Sequence, residues 1–149
     1  MISSSPRAQG RAATTLSPWR SVGIWMSAIL IGYTLFNALR STLDPGGFAS
    51  YYGLPLGGDD SNAFVLVYAI RALFLGLFGL ALLVSRSYRA LAIFVLVGSV
   101  MPIGDAILVA SRGAGPGTIL RHSLIAVFLL LTGYFMQRWA KRAAALQTD

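Results

Sequence analysis

The chain has 149 residues, 56% of them hydrophobic and 11% charged, with twelve basic and five acidic side chains and a net charge of +7. An ordinary soluble domain carries roughly 25% charged residues, so this composition excludes a soluble globular enzyme and points to a multi-span membrane protein. Cysteine is absent, which excludes disulfide scaffolds, thiol catalysis and thiolate metal sites. The single histidine, His122, cannot build a multi-histidine metal site, and no cofactor is implied.

Residues 1–20 are rich in Ser, Thr, Ala and Arg and hold no acid. Nothing there can bury a core, so they read as a disordered basic tail. An organellar transit peptide is the alternative for such a composition. The first apolar span runs from about Val22 to Leu39 and is read as retained, because no small-residue cleavage site follows it. Asp44-Pro45-Gly46-Gly47 closes it, since proline cannot continue a helix and glycine tolerates the turn. Gly57 to Asn62 then opens the second span, with Ser61 or Asn62 as N-cap. That span runs from about Ala63 to Val84 and encloses Arg71. Ser85-Arg86-Ser87 leaves a tight turn before the third span, about Tyr88 to Ala110, which contains Pro102 and Asp105. Gly113 to Gly117 is a flexible joint before the fourth, about Thr118 to Met136.

Each run has the 17–25 residues that cross a hydrocarbon core as a helix, and none shows the period-2 alternation of a barrel strand. The expected fold is all-α: a polytopic four-transmembrane-helix antiparallel bundle over residues 21–137, with a basic tail at 138–149. Arg7, Arg11 and Arg20, Arg86 and Arg89, and Arg138, Lys141 and Arg142 fall on one side of it. The positive-inside rule makes that side cytoplasmic, N-in and C-in. This asymmetry explains the basic charge without nucleic acid. A bacterial inner membrane is the expected location, with a eukaryotic endomembrane as the alternative.

The few polar residues inside the spans gather at one depth. Arg71 and Asp105 each lie roughly 12–13 Å from the outer end of their helices. An ion pair between these neighbouring spans is the natural inference, because an unpaired charge in hydrocarbon is costly. Tyr33, Asn37, Arg40 and Asp44 share one helical stripe by their spacing. Tyr68 precedes Arg71 by three residues, and Arg121 and His122 stand near the outer end of span four. Pro102 removes the hydrogen bond to the Gly98 carbonyl and should kink span three, widening the outer half. Ala28/Gly32 and Ala72/Gly76 are small-residue pairs that permit close helix contact.

Two readings follow. In one, Arg71 anchors an anion and Asp105 or His122 moves a proton, with Tyr33, Asn37, Arg40 and Tyr68 binding a ligand. In the other, Arg71 and Asp105 pin two helices, Asn37, Arg40 and Asp44 cap a helix and its turn, and His122 is a solvated interface residue. Tyr51, Tyr52, Trp25 and Trp139 read as interface or packing aromatics.

The series Asp44-Pro45, Phe48-Ala49, Gly53-Leu54-Pro55, Tyr68-Ala69-Ile70-Arg71, Gly76, Pro102-Ile103-Gly104-Asp105 and His122 resembles the membrane family catalogued as domain of unknown function 4267, over about residues 20 to 136. The resemblance implies four transmembrane helices and no assigned activity. The family's span-two arginine is often followed by an acid, where this chain has Ala72. More distantly, the architecture is similar to DoxX-like and sterol-isomerase-type bundles. The expected function is binding of a lipophilic or lipid-like small molecule, or service as an accessory subunit. The alternative is an isomerase- or cyclase-like membrane enzyme using Asp105 and Arg71. Transport by oligomerisation ranks third. The expected partners are the lipid bilayer, a lipophilic small molecule and a second copy of the chain.

Overall fold

In hydrocarbon a long apolar backbone satisfies its own polar groups most simply as a helix. The computed structural model describes residues 21–57 and 62–145 and holds no strand among them. Its helices are α1 (Val22–Leu43), α2 (Pro45–Tyr52), α3 (Asn62–Val84), α4 (Tyr88–Gly98), α5 (Val100–Ser111) and α6 (Pro116–Ala145). Four spans are long and apolar enough to cross a membrane: α1, α3, α4 with α5, and α6. The chain is a multi-pass membrane protein. The expected tail at 1–20, Ser61 as a cap, and Asp59 and Asp60 lie outside the described residues. Arg138, Lys141 and Arg142 stand on α6, which continues as helix through most of the expected C-terminal tail.

The segment after Asp44 differs from expectation. It is a corner into a second helix. The Asp44 N–H donates to the Arg40 carbonyl at 2.9 Å and closes α1, while its Oδ1 accepts from the Gly47 N–H at 2.9 Å and caps α2. Pro45 occupies the first turn of α2, where its missing N–H costs nothing. Gly53 ends α2 at φ +100°, with its own N–H on Ser50 and that of Leu54 on Ala49. A Cβ at Gly53 would also lie 2.6 Å from the Thr118 methyl, so α2 ends in close contact with the start of α6. Gly53→Ala is expected to lower stability by about 1–2 kcal/mol through the left-handed backbone alone. Thermal unfolding in detergent checks it, and an unchanged midpoint would show that α2 is not docked this way.

The spans associate in two pairs. α1 packs along α3, and α4 and α5 both pack on α6, with α1 also touching α6. Small residues make these approaches possible, as they do between helices generally in lipid. Gly76 faces Leu35, Gly79 faces Ile31 and Phe94, Gly133 faces Leu96, and Gly23 faces the backbone of Met136. Ala72 and Gly76 thus serve the α1–α3 contact as expected, whereas Gly32 has open space around it.

At the end that carries the α3–α4 turn, Ile24, Leu91, Ala92, Val95 and Met136 form the core, and Tyr88 meets Trp139 edge to face at 4.9 Å. Towards the other end α3 and α5 do not pack on each other. Span three lies against α6 along both α4 and α5 and meets α3 through α4 alone, and it carries a break. The helix is interrupted at Ser99, whose Oγ donates to the Leu96 carbonyl at 2.7 Å, and Pro102 supplies no N–H for the Gly98 carbonyl. The interruption falls where Pro102 was expected to disturb the helix, and beyond it α5 continues along α6 while α3 stays with α1.

Candidate intramembrane binding site

Most hydroxyls in the spans are committed to their own helices. Ser27 donates to Gly23, Thr34 to Leu30, Ser41 to Asn37 and Thr132 to Phe128, each four residues back. The groups that remain surround a cavity of about 600 Å³ between the two helix pairs. Ligand pockets commonly measure ~300–1,000 Å³. One end of this cavity is apolar, floored by Leu91 and Val95 of the core cluster and by Phe94 packed against it. The other end is polar and is roofed by Phe48, Tyr51 and Tyr52 of α2.

Five elements supply the polar end: Tyr33 and Asn37 from α1, Tyr52 from α2, Tyr68 and Arg71 from α3, Asp105 from α5, and Arg121 and His122 from α6. Asn37 is only 5% exposed; its Nδ2 donates to the Tyr33 carbonyl at 3.0 Å, and its Oδ1 has no partner among the described residues. His122 is also 5% exposed, which overturns the solvated reading of this residue. Its Nε2 lies 3.1 Å from the Tyr52 carbonyl, an acceptor, so Nε2 carries a proton and donates it. In the neutral ring Nδ1 is then an acceptor. The imidazole stands edge-on to the Tyr52 ring at 4.6 Å.

Tyr52 is the residue that sequence reasoning missed. It stands beside Asp105, and burial, helped by that neighbouring carboxyl group, pushes its phenol well above the ordinary tyrosine range. Tyr52 is therefore a neutral donor at any physiological pH. It also packs with Phe48 and Tyr68, ring centres 5.0–5.7 Å apart, on the cavity wall. The signal was present in the sequence. Asp before Pro-Gly-Gly, with Gly eight residues beyond Pro, is a capped helix that begins and ends on its preferred residues. Reading it as punctuation left Tyr52 without an address.

The expected Arg71–Asp105 ion pair is not formed. The two residues come from helices that part beyond Ser99, so they face the same cavity from different walls. Arg71 makes no hydrogen bond, ion pair or ring contact with any described residue. Arg40 does not line the cavity. It stands over the Tyr51 ring at 4.3 Å, and Arg121 stands over the same ring at 3.8 Å while its Nη2 donates to the Tyr51 carbonyl at 2.7 Å. These two arginines clasp α2 from α1 and α6. Asp44 serves as a cap, as described above. Among the described residues no cluster of three or more His, Cys, Asp or Glu side chains is placed to hold a metal.

A family model described as a domain of unknown function, number 4267, matches residues 18–136. No curated protein and no solved structure matches the chain.

Proposed function

The chain belongs to that family of unknown function, and from its site we propose that it binds an amphiphilic, lipid-like molecule inside the bundle. The observation that carries this reading is the polarity of the cavity, apolar at one end and ringed at the other by polar groups, among which Arg71 has no partner among the described residues. Arg71, exposed on α3, stands at the gap between α3 and α5, and Met101 flanks that gap from α5. The gap supplies a sideways entrance from the bilayer. Arg71 holds the polar head, and the chain lies along Leu91, Phe94 and Val95. An intramembrane charge facing a cavity is the usual mark of such a site. The basic residues near both termini support a cytoplasmic position for that end, in a bacterial inner membrane.

A second reading, proton transfer on the bound molecule, is favoured by one observation: Tyr52, Asp105 and His122 converge at the polar end. An acid, a donor and a ring acceptor within reach of one ligand are the elements of general acid–base chemistry.

One experiment addresses both. The full chain is purified in a mild detergent, and its retained small molecules are analysed by mass spectrometry after incubation with membrane lipid extract in deuterium oxide. A near-stoichiometric amphiphile is expected. Deuterium fixed at a carbon of that molecule supports the enzyme, and retention without exchange supports the binder. Failure to retain any amphiphile sinks the proposal.

A further inference from the structure

Resting on the amphiphile-binding reading, the geometry points to the headgroup: one that carries both an anion and an ammonium, the anion held by Arg71 and the ammonium by Asp105 and the aromatic rings beside it. Three observations combine. First, Arg71 and Asp105 line the same cavity without pairing, so each presents its charge to whatever enters. A ligand with only one charge would satisfy one and leave the other uncompensated in a low-dielectric site, which is unfavourable. A zwitterion satisfies both.

Second, the surroundings of the two charges differ in the way a zwitterion requires. Asp105 sits beside Tyr52, and the rings of Tyr52, Tyr68 and Phe48 all line the cavity there. Aromatic faces attract ammonium groups through the ring quadrupole, and a carboxylate beside them adds to that attraction. Arg71 has a planar, forked donor set suited to phosphate or carboxylate oxygens.

Third, the other cation of the cavity is already engaged. Arg121 lies over the Tyr51 ring and donates to its carbonyl, so the free charges are one of each sign. The Asn37 amide and the His122 imidazole line the same space, and the Asn37 Oδ1 suits the N–H or O–H groups of such a head.

The test uses the full chain in a maltoside detergent, whose head is uncharged, titrated with single-chain dodecyl amphiphiles and read by native mass spectrometry. The series is dodecylphosphocholine, dodecyl phosphate and dodecyltrimethylammonium, with phosphocholine lacking a chain as a further arm. Dodecylphosphocholine is expected to bind about tenfold or more tighter than either single-charge amphiphile. Arg71→Gln should bring it down to the level of the ammonium, and Asp105→Asn to the level of the phosphate.

Dodecyl phosphate binding as tightly as the zwitterion overturns the inference while leaving the amphiphile reading in place. Binding of the chainless head as tight as that of the amphiphile assigns the site to a free zwitterion. Binding of none of the four overturns both readings. Should Asp105→Asn fail to fold, the ligand series and Arg71→Gln, which removes no protein contact, still decide the matter.

Discussion

Replacing Arg71 by glutamine leaves the melting temperature of the purified protein unchanged or raised, and weakens retention of its amphiphile about tenfold to a hundredfold. The two halves of this expectation have separate grounds. Arg71 makes no hydrogen bond, ion pair or ring contact with a described residue, so the substitution removes no native interaction. Taking a guanidinium out of a membrane span also removes an insertion cost of up to about 3 kcal/mol at mid-bilayer. A hydrogen bond from a charged donor to a ligand contributes about 1.5–3 kcal/mol, which is the range of affinity lost. A pinning arginine would behave in the opposite way, since breaking a buried ion pair costs about 3–5 kcal/mol of stability. Thermal unfolding and ligand titration on one preparation separate the cases. A large drop in melting temperature with retention unaffected would return Arg71 to a structural role.

Gly23→Leu and Gly32→Ala, two substitutions on α1, are expected to act with opposite sign. A Cβ at Gly23 would lie 2.9 Å from the backbone nitrogen of Met136 and 3.2 Å from its Cα. A backbone cannot rotate aside as a side chain can, so α6 must move away from α1 and open the cluster around Ile24, Leu91 and Met136. Overpacking of this kind costs about 1–3 kcal/mol, and leucine belongs at the upper end. Gly23→Ala should lose less, because alanine gains about 1 kcal/mol over glycine in a helix. Gly32 has no neighbour within 4 Å at its missing Cβ, so Gly32→Ala keeps that whole gain. Unfolding titrations in a denaturing detergent measure all three. Equal shifts for Gly23→Ala and Gly32→Ala would mean that the α1–α6 contact is not the tight one described.

The bundle was legible in the sequence because hydrocarbon allows little besides helices, and apolar length alone marks them. The polar depth was legible for the same reason, since charges and amides stand out against Leu and Val. What was not legible was which wall each polar residue occupies. Arg71 and Asp105 lie on spans joined by a three-residue turn, and neighbouring antiparallel helices suggested contact along their whole length. Span three instead packs on α6 along both α4 and α5, so the two charges meet only across a cavity. Pro102 announced the bend but not its direction, which is set by packing: Gly76 admits Leu35 from α1 on one side, and Gly133 admits Leu96 on the other. Tyr52 was hidden for a different reason. A helix of eight residues has no long periodic signal, and its role depends on Gly53 drawing α2 against Thr118.

The two helix pairs meet around Ile24, Leu91 and Met136 at one end, while at the other α2, packed on α1 and α3, reaches α6 through the Arg121–Tyr51 and His122–Tyr52 contacts. Two rods fixed together at one end open at the other when the angle between them changes. A rotation of about 3° over the roughly 30 Å of a hydrocarbon core moves the far ends by about 1.5 Å, with little disturbance of the packing around Leu91 and Met136. Such an opening would widen the polar end of the cavity, and the Arg40–Tyr51–Arg121 clasp is the element that resists it.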